Sequence, residues 1–223
     1  MGYYQNLLYK LNLAATNTTI DGITAYDFTL TEPVSSIIDF DYLNILDNPP
    51  SNSSNTTMKE LKYLSNLTSN LSSQDLELIF QIDDDPKYYF YEILDKYNLE
   101  FPMEQFKTTY KVIKPALMNT KYYFNRPRPE ILARIFDIKI NIIKTPTINS
   151  PAYPSGHVVY SSLCECVLTD MYPNLSAQFN KVVDQTSLAR MMQGVHYPSD
   201  CKASIIFSKF MYNKIKNKLK ENQ

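Results

Sequence analysis

Beyond residue 57 apolar side chains recur at three- and four-residue steps, the spacing that lays them along one face of a helix. Met58, Leu61, Leu64, Leu67 and Leu71 form one such stripe and predict a helix over Thr57–Leu71. Phe90, Ile93, Leu94 and Tyr97 predict a second over Pro86–Leu99, opened by a proline whose missing amide hydrogen is harmless in a first turn. A third runs over Pro102–Phe124, with a bend expected at Pro115, where a ladder hydrogen bond is lost. Val159, Leu163, Cys166 and Val167 predict Ser155–Asp170; Phe179, Val182, Val183 and Thr186 predict Ser176–Gln193. The last predicted helix, Pro198–Leu219, carries Ala203, Ile206, Phe207, Phe210 and Met211. Period-two alternation is scarce, and only Ile135–Ile143 is ambiguous. The pattern predicts an all-α, single-domain helical bundle. Residues 1–46, with no clear period over Ile20–Ser36, are expected to pack on the core as an N-terminal segment; 47–57, two prolines followed by a Ser/Asn/Thr run, read as an exposed connection, and 58–219 as the core.

Composition narrows the function classes. A chain of 223 residues with 44% hydrophobic and 20% charged positions buries a real core. A net charge of -1 argues against a nucleic-acid sleeve. No stretch approaches the roughly 18 to 20 apolar residues of a membrane span. Gln5, Asn6, Lys10 and Asn12 interrupt the first residues, so no export signal is read and the sequon asparagines 17, 55, 66 and 70 are discounted. Cys164, Cys166 and Cys201 read as reduced thiols, which fits a cytoplasmic protein, with a trimmed export signal or a viral source left open. Asp83-Asp84-Asp85 before Pro86 is explained by the dipole of a following helix. The dense tyrosines, among them Tyr88, Tyr122, Tyr153 and Tyr160, read as bundle packing.

The chain has two histidines, and both sit at helix ends. His157 follows Pro154-Ser155-Gly156, where Ser155 suits an N-cap and the amides of the helix start suit an anion. His196 lies in Arg190-x5-His196-x3-Asp200; four residues on, the Asp200 carboxylate reaches one ring nitrogen and fixes the tautomer. Lys121-x6-Arg128-Pro129 ends the long helix, and the Arg126-Pro127-Arg128-Pro129 run breaks it. Arginine supplies four of the 22 basic residues, so its presence beside the histidine motifs points to a use for its planar fork. A metal site built from His157, His196, Cys164, Cys166 and Cys201 lacks a Cys-x2-Cys or His-x3-His clamp and leaves the arginines unexplained.

In this order the three motifs resemble the signature of the type 2 phosphatidic acid phosphatase superfamily, which includes class A non-specific acid phosphatases and vanadium-dependent haloperoxidases. Ile45-Leu46, Pro49-Pro50, Thr57-Met58-Lys59-Glu60-Leu61 and Val195-His196-Tyr197-Pro198-Ser199-Asp200 resemble the acid phosphatase branch, so the likeness covers roughly residues 43 to 212. Ala189 departs from the serine usual before the second arginine. The resemblance implies the helical bundle of the acid phosphatase and haloperoxidase type, and a metal-independent phosphomonoester hydrolase. In it His196 would be the nucleophile, oriented by Asp200, and His157 the general acid and then base. Lys121, Arg128 and Arg190, with the amides of Ser155 and Gly156, would hold the phosphate oxygens. No cofactor is implied; phosphate or vanadate would bind as oxyanions. The expected partner is a small phosphorylated substrate, without nucleic acid, and the amphipathic last helix offers a face for a homo-oligomer. A vanadium-dependent haloperoxidase is the first alternative and a non-catalytic phosphate-binding protein the second. The resemblance also implies an acid pH optimum, with His157 protonated while His196 stays neutral.

Overall fold

A computed structural model describes residues 38–145 and 147–221 of the chain. Its helices are α1 (Asn55–Leu67), α2 (Ser73–Asp84), α3 (Tyr88–Lys96), α4 (Met103–Phe124), α5 (Pro129–Ile135), α6 (Gly156–Met171), α7 (Ser176–Met192) and α8 (Pro198–Glu221). Among the described residues there is no strand; Ile138–Ile143, two thirds of the ambiguous stretch, runs as irregular backbone. Pro115 lies inside α4, which continues through it.

Helix α6 is the centre of the bundle. Val158, Val159, Ser161, Ser162, Leu163, Cys164, Val167 and Leu168 are all buried, so the helix is apolar on nearly every side and must be covered by neighbours. Helices α4, α7 and α8 cover it. Two serines on α8 fit the close approach: Ser208 Oγ donates to the Val159 carbonyl at 3.2 Å, and Ser204 Oγ accepts from the Ser155 amide at 2.7 Å. Ile206 and Phe210, read as part of the inward stripe of α8, are half exposed; the buried stripe runs through Ala203, Phe207 and Met211.

Helix α2 was not read from the sequence, although its start carries a capping box: Ser72 Oγ accepts from the Asp75 amide while the Asp75 carboxylate accepts from the Ser72 amide. Ile79 and Ile82 of α2 pack on Ala189 and Met192 of α7. The predicted Thr57–Leu71 helix is therefore two elements, α1 ending at Leu67 and a turn leading into α2. Burying Leu61 and Leu64 of α1 completely contributes about 1.5–3 kcal/mol each and holds in place the turn of helix that carries Glu60, the residue before Leu61.

Ahead of α1, Tyr42, Leu43 and Leu46 are buried in the main core, and the Tyr42 hydroxyl accepts from Asn119 Nδ2 at 3.0 Å. Residues 1–37, most of the expected N-terminal segment, lie outside the described residues. Among the described residues no helix is long and apolar enough to cross a membrane. The Tyr160 ring packs edge-on against Phe106 and Tyr110, and the Tyr153 hydroxyl donates to the Asp47 carbonyl, so both tyrosines serve packing.

Candidate active site

His196 reaches its place through the sharp link between α7 and α8. Gly194 takes φ +76°, and a Cβ there would stand 2.8 Å from Ile142 Cδ1, so both conformation and space require glycine. Its amide and that of Val195 bond back to Met191 and Arg190, closing α7. Pro198 then opens α8, which sets Asp200 in the first turn. One Asp200 oxygen, Oδ2, accepts from the Tyr197 amide at 2.9 Å and lies 3.3 Å from His196 Nδ1. On the other side of the ring, Arg128 Nη1 lies 2.9 Å from His196 Nε2. A guanidinium only donates, so Nε2 holds a lone pair and the proton sits on Nδ1 toward Asp200. Burial, then the charges of Arg128, Lys121 and Arg190, hold His196 well below the ordinary histidine range, so the ring is neutral.

The three expected cations converge on this ring from three elements. Lys121, in the last turn of α4, is buried and donates to the Pro151 carbonyl at 2.7 Å. Asn125 ends α4 in the left-handed region, and Arg128 follows Pro127 in extended backbone. Arg128 Nε donates to the Ser150 carbonyl and Nη1 to the Val195 carbonyl, both at 2.9 Å. Arg190, in the last turn of α7, is 1% exposed. Desolvation first, and Arg128 next, push Lys121 well below the usual amine range. Burial likewise brings Arg190 down to about 10 despite its acidic neighbour. These cations crowd one another, and an arriving anion relieves that repulsion.

Gly156 meets Lys121: a Cβ at this position would stand 3.8 Å from Lys121 Cε. Ser155 departs from the expectation. It occupies the N-cap position of α6 but its side chain makes no capping bond, and its amide donates to Ser204 Oγ rather than facing an anion. The group left over is the Ser155 hydroxyl, which is buried and makes no hydrogen bond within the protein; Arg190 Nε is in the same condition.

His157 stands at the first turn of α6 with its side chain 17% exposed, beside an unexpected acid. Asp83 closes α2 rather than preceding a helix start, which overturns the dipole reading of the acidic run at its first member. Its Oδ1 accepts from Arg190 Nη1 at 2.5 Å, from Thr147 at 2.8 Å and from Thr145 at 3.1 Å, and lies 3.8 Å from His157 Nε2. The Asp83 carbonyl, 3.4 Å from the same nitrogen, can only accept, which puts the His157 proton on Nε2. Burial, then Arg190, hold His157 down to about 3, with Asp83 opposing. In the unliganded protein His157 is therefore neutral at mildly acid pH, contrary to the expected protonated acid.

The structure thus brings His157, His196, Asp200, Lys121, Arg128, Arg190 and Gly156 together and adds Asp83. It also adds Glu60 and Arg126 behind Asp200. Arg126, read as part of a helix break, is buried with its guanidinium on Asp200 and Glu60. The Ser72–Asp75 capping box is a sequence signal for the start of α2, but nothing local singles out Asp83 at its other end. Glu60 and Arg126 are 66 residues apart and carry no local signal. Ala189, in place of the usual serine, is fully buried against Ile79 and Ile82. Cys164 and Cys201 are buried, with thiols pushed above the usual range by desolvation, and among the described residues no three metal-ligating side chains gather.

Fold and site define an all-helical protein whose central helix start, flanked by two helix ends, carries a histidine pair inside a cationic cage. The family model described as the PAP2 superfamily matches residues 108–218, which contain every member of that cage except Asp83. The chain belongs to the PAP2 superfamily. Among solved structures it is similar to a bacterial vanadium-dependent iodoperoxidase, with 21% identity and a TM-score of 0.55 over 77% of this chain and 51% of that one. The chain spans about half the length of that protein. It is also similar to a transmembrane PAP2-type phosphatidylglycerolphosphate phosphatase from Bacillus subtilis, with 14% identity and a TM-score of 0.39 over 100% of this chain and 98% of that one. No curated protein matches the chain.

Proposed function

We propose that the chain is a metal-independent phosphomonoester hydrolase of the acid phosphatase kind, working through a phosphohistidine at His196. The observation that supports it most is the convergence of Lys121, Arg128 and Arg190 on a neutral His196 whose Nε2 lone pair is exposed to the cage, not to Asp200. Phosphoryl transfer asks little covalent chemistry of a protein and much charge neutralisation, which three fixed cations supply. The unpartnered Ser155 hydroxyl and Arg190 Nε add two donors for anionic oxygens.

In this reading the phosphate takes over the hydrogen bond that Arg128 makes to Nε2, which frees the lone pair. His196 Nε2 attacks phosphorus, the bond to the ester oxygen breaks, and that oxygen takes a proton from His157. Asp200 balances the positive charge left on the phosphorylated imidazole. A water then gives its proton to His157 and its oxygen to phosphorus, the P–N bond breaks, and phosphate leaves with His196 neutral again.

The low pKa of His157 fits this cycle through the substrate's charge. A phosphate dianion beside Arg190 offsets the cation that holds His157 down, so the proton required for the first step is gained on binding. Profiles of kcat/KM report the free protein and profiles of kcat the complex. We therefore expect the alkaline fall of kcat/KM to lie at lower pH than that of kcat, as measured by initial rates on one substrate across pH 3 to 9; coincident limbs would argue against His157 as the acid.

The deciding assay is a panel of small phosphomonoesters, including p-nitrophenyl phosphate, with and without vanadate and a chelator. Hydrolysis that vanadate inhibits and chelator leaves unchanged is expected. Oxidation of bromide by peroxide only when vanadate is present would instead favour a haloperoxidase. Phosphate binding without either turnover would favour a binding protein.

A further inference from the structure

Behind the nucleophile lies a buried chain of charge that the phosphoryl chemistry above does not use. Arg126 is 1% exposed and Asp200 0%. Arg126 Nη1 donates to Asp200 Oδ1 at 2.6 Å and to Ser199 Oγ at 2.7 Å, while Nη2 donates to Glu60 Oε2 at 3.0 Å. Glu60 in turn accepts from the Ser199 amide at 2.7 Å and the Ser199 hydroxyl at 2.9 Å, which ties α1 to the first turn of α8. The central carbon of the Arg126 guanidinium lies over the Tyr197 ring, 3.9 Å from its centroid. Each of these contacts fixes the plane of the fork, and the fork in turn fixes the carboxylate whose other oxygen meets His196 Nδ1.

The placement has a chemical consequence. A carboxylate this deeply buried drifts toward its neutral form, and burial does raise Asp200 above its ordinary value while Arg126 is the chief group opposing that drift. A neutral Asp200 has one oxygen turned into a donor, and it no longer requires the His196 proton on Nδ1. The tautomer with a free Nε2 lone pair then loses the acceptor that holds its Nδ1 proton and keeps only the Arg128 donor in its favour. Lysine would keep the charge of Arg126 but not the planar contacts to Asp200, Ser199 and Glu60 at once.

We infer that Arg126, anchored by Glu60, is a positioning residue that keeps Asp200 ionised and aimed, and thereby holds His196 with Nε2 free for attack. It acts through Asp200 and touches no substrate. The inference rests on the phosphohistidine reading for its kinetic part, but its tautomer part is independent of turnover.

The two histidines of the chain make a direct test practical. In the full-length protein labelled with nitrogen-15 histidine, the wild type is expected to show His196 neutral with its proton on Nδ1 across pH 4 to 8. Glu60→Gln and Arg126→Lys, both of nearly unchanged volume, are expected to populate the Nε2-protonated form and to lower kcat about 10- to 100-fold. KM and the vanadate inhibition constant should change less than about threefold, and the acid limb of kcat should move up by about one pH unit in Arg126→Lys but not in Glu60→Gln, which also removes a carboxylate charge that raises Asp200. Wild-type tautomer and pH profile in both variants would overturn the inference, even if thermal stability fell. A proportional rise in KM and loss of vanadate inhibition would overturn it too, since Arg126 would then bind the oxyanion itself. If the wild type hydrolyses no phosphomonoester, the functional reading fails, while the tautomer shift still decides the role of Arg126.

Discussion

Replacing His196 by alanine is expected to lower kcat by more than about 10³-fold and to abolish an acid-labile phosphoenzyme, because removal of a covalent nucleophile eliminates the two-step path. Nothing nearby can substitute for it. His157 is the other imidazole of the chain, and its Nε2 proton is directed to the Asp83 carbonyl, not toward an attack position. Affinity for vanadate should survive in part, since Lys121, Arg128 and Arg190 remain. The measurement is rapid acid quench with a phosphorus-32 substrate, followed by steady-state rates. Undiminished hydrolysis in this variant would remove His196 from the mechanism.

The second large effect concerns stability. Arg126→Ala leaves Asp200 and Glu60 buried side by side without the guanidinium that both bond. Breaking a buried pair from one side costs about 3–5 kcal/mol. Against a typical total of about 5–15 kcal/mol, that is a major share. The deficit should be complete at neutral pH and should narrow as pH falls through the carboxylate range, because protonation of Asp200 removes the uncompensated charge and burial already favours that proton. Arg134→Ala is the control: Arg134 pairs with Glu130 on the surface with its side chain 75% exposed, and is expected to change stability by less than about 1 kcal/mol. Urea midpoints for the two variants at pH 7 and pH 4.5 give the comparison. Equal losses would mean that the buried network carries no special weight.

Helix α6 shows why much of the fold was legible. Its apolar residues and the Pro-Ser-Gly-His run before them are local in sequence, and so are the Gly194 stop and the Pro198 start around His196. Three- and four-residue spacing encodes which side of a helix is buried, and helix ends encode where backbone polarity concentrates. The four-residue step from His196 to Asp200 likewise survives into the structure because both lie within one turn of backbone. The reading failed where two weak segments adjoined. The break between α1 and α2 falls in Thr68–Ser72, where Leu71 continues the apolar spacing although the helix has ended.

The site's supporting charges were beyond any local pattern. Asp83 looked like one of three equivalent acids before a proline, and only the packing of α2 on α7 singles it out for Arg190 and His157. Glu60 looked like an ordinary polar position on an amphipathic helix. Ser155 precedes the helix as its sequence suggests, but its amide, expected to face an anion, donates to Ser204, 49 residues away.

By itself the sequence determined the helices, their ends, and the chemical groups those ends carry: two imidazoles, three cations and one carboxylate, each set by spacing within a turn or two of backbone. The tertiary structure alone decided which protonation states those groups adopt. A pKa depends on burial and on charges brought in from distant segments, and it is the assembled bundle that neutralises both histidines, sets Asp83 against Arg190, and backs Asp200 with Arg126 and Glu60.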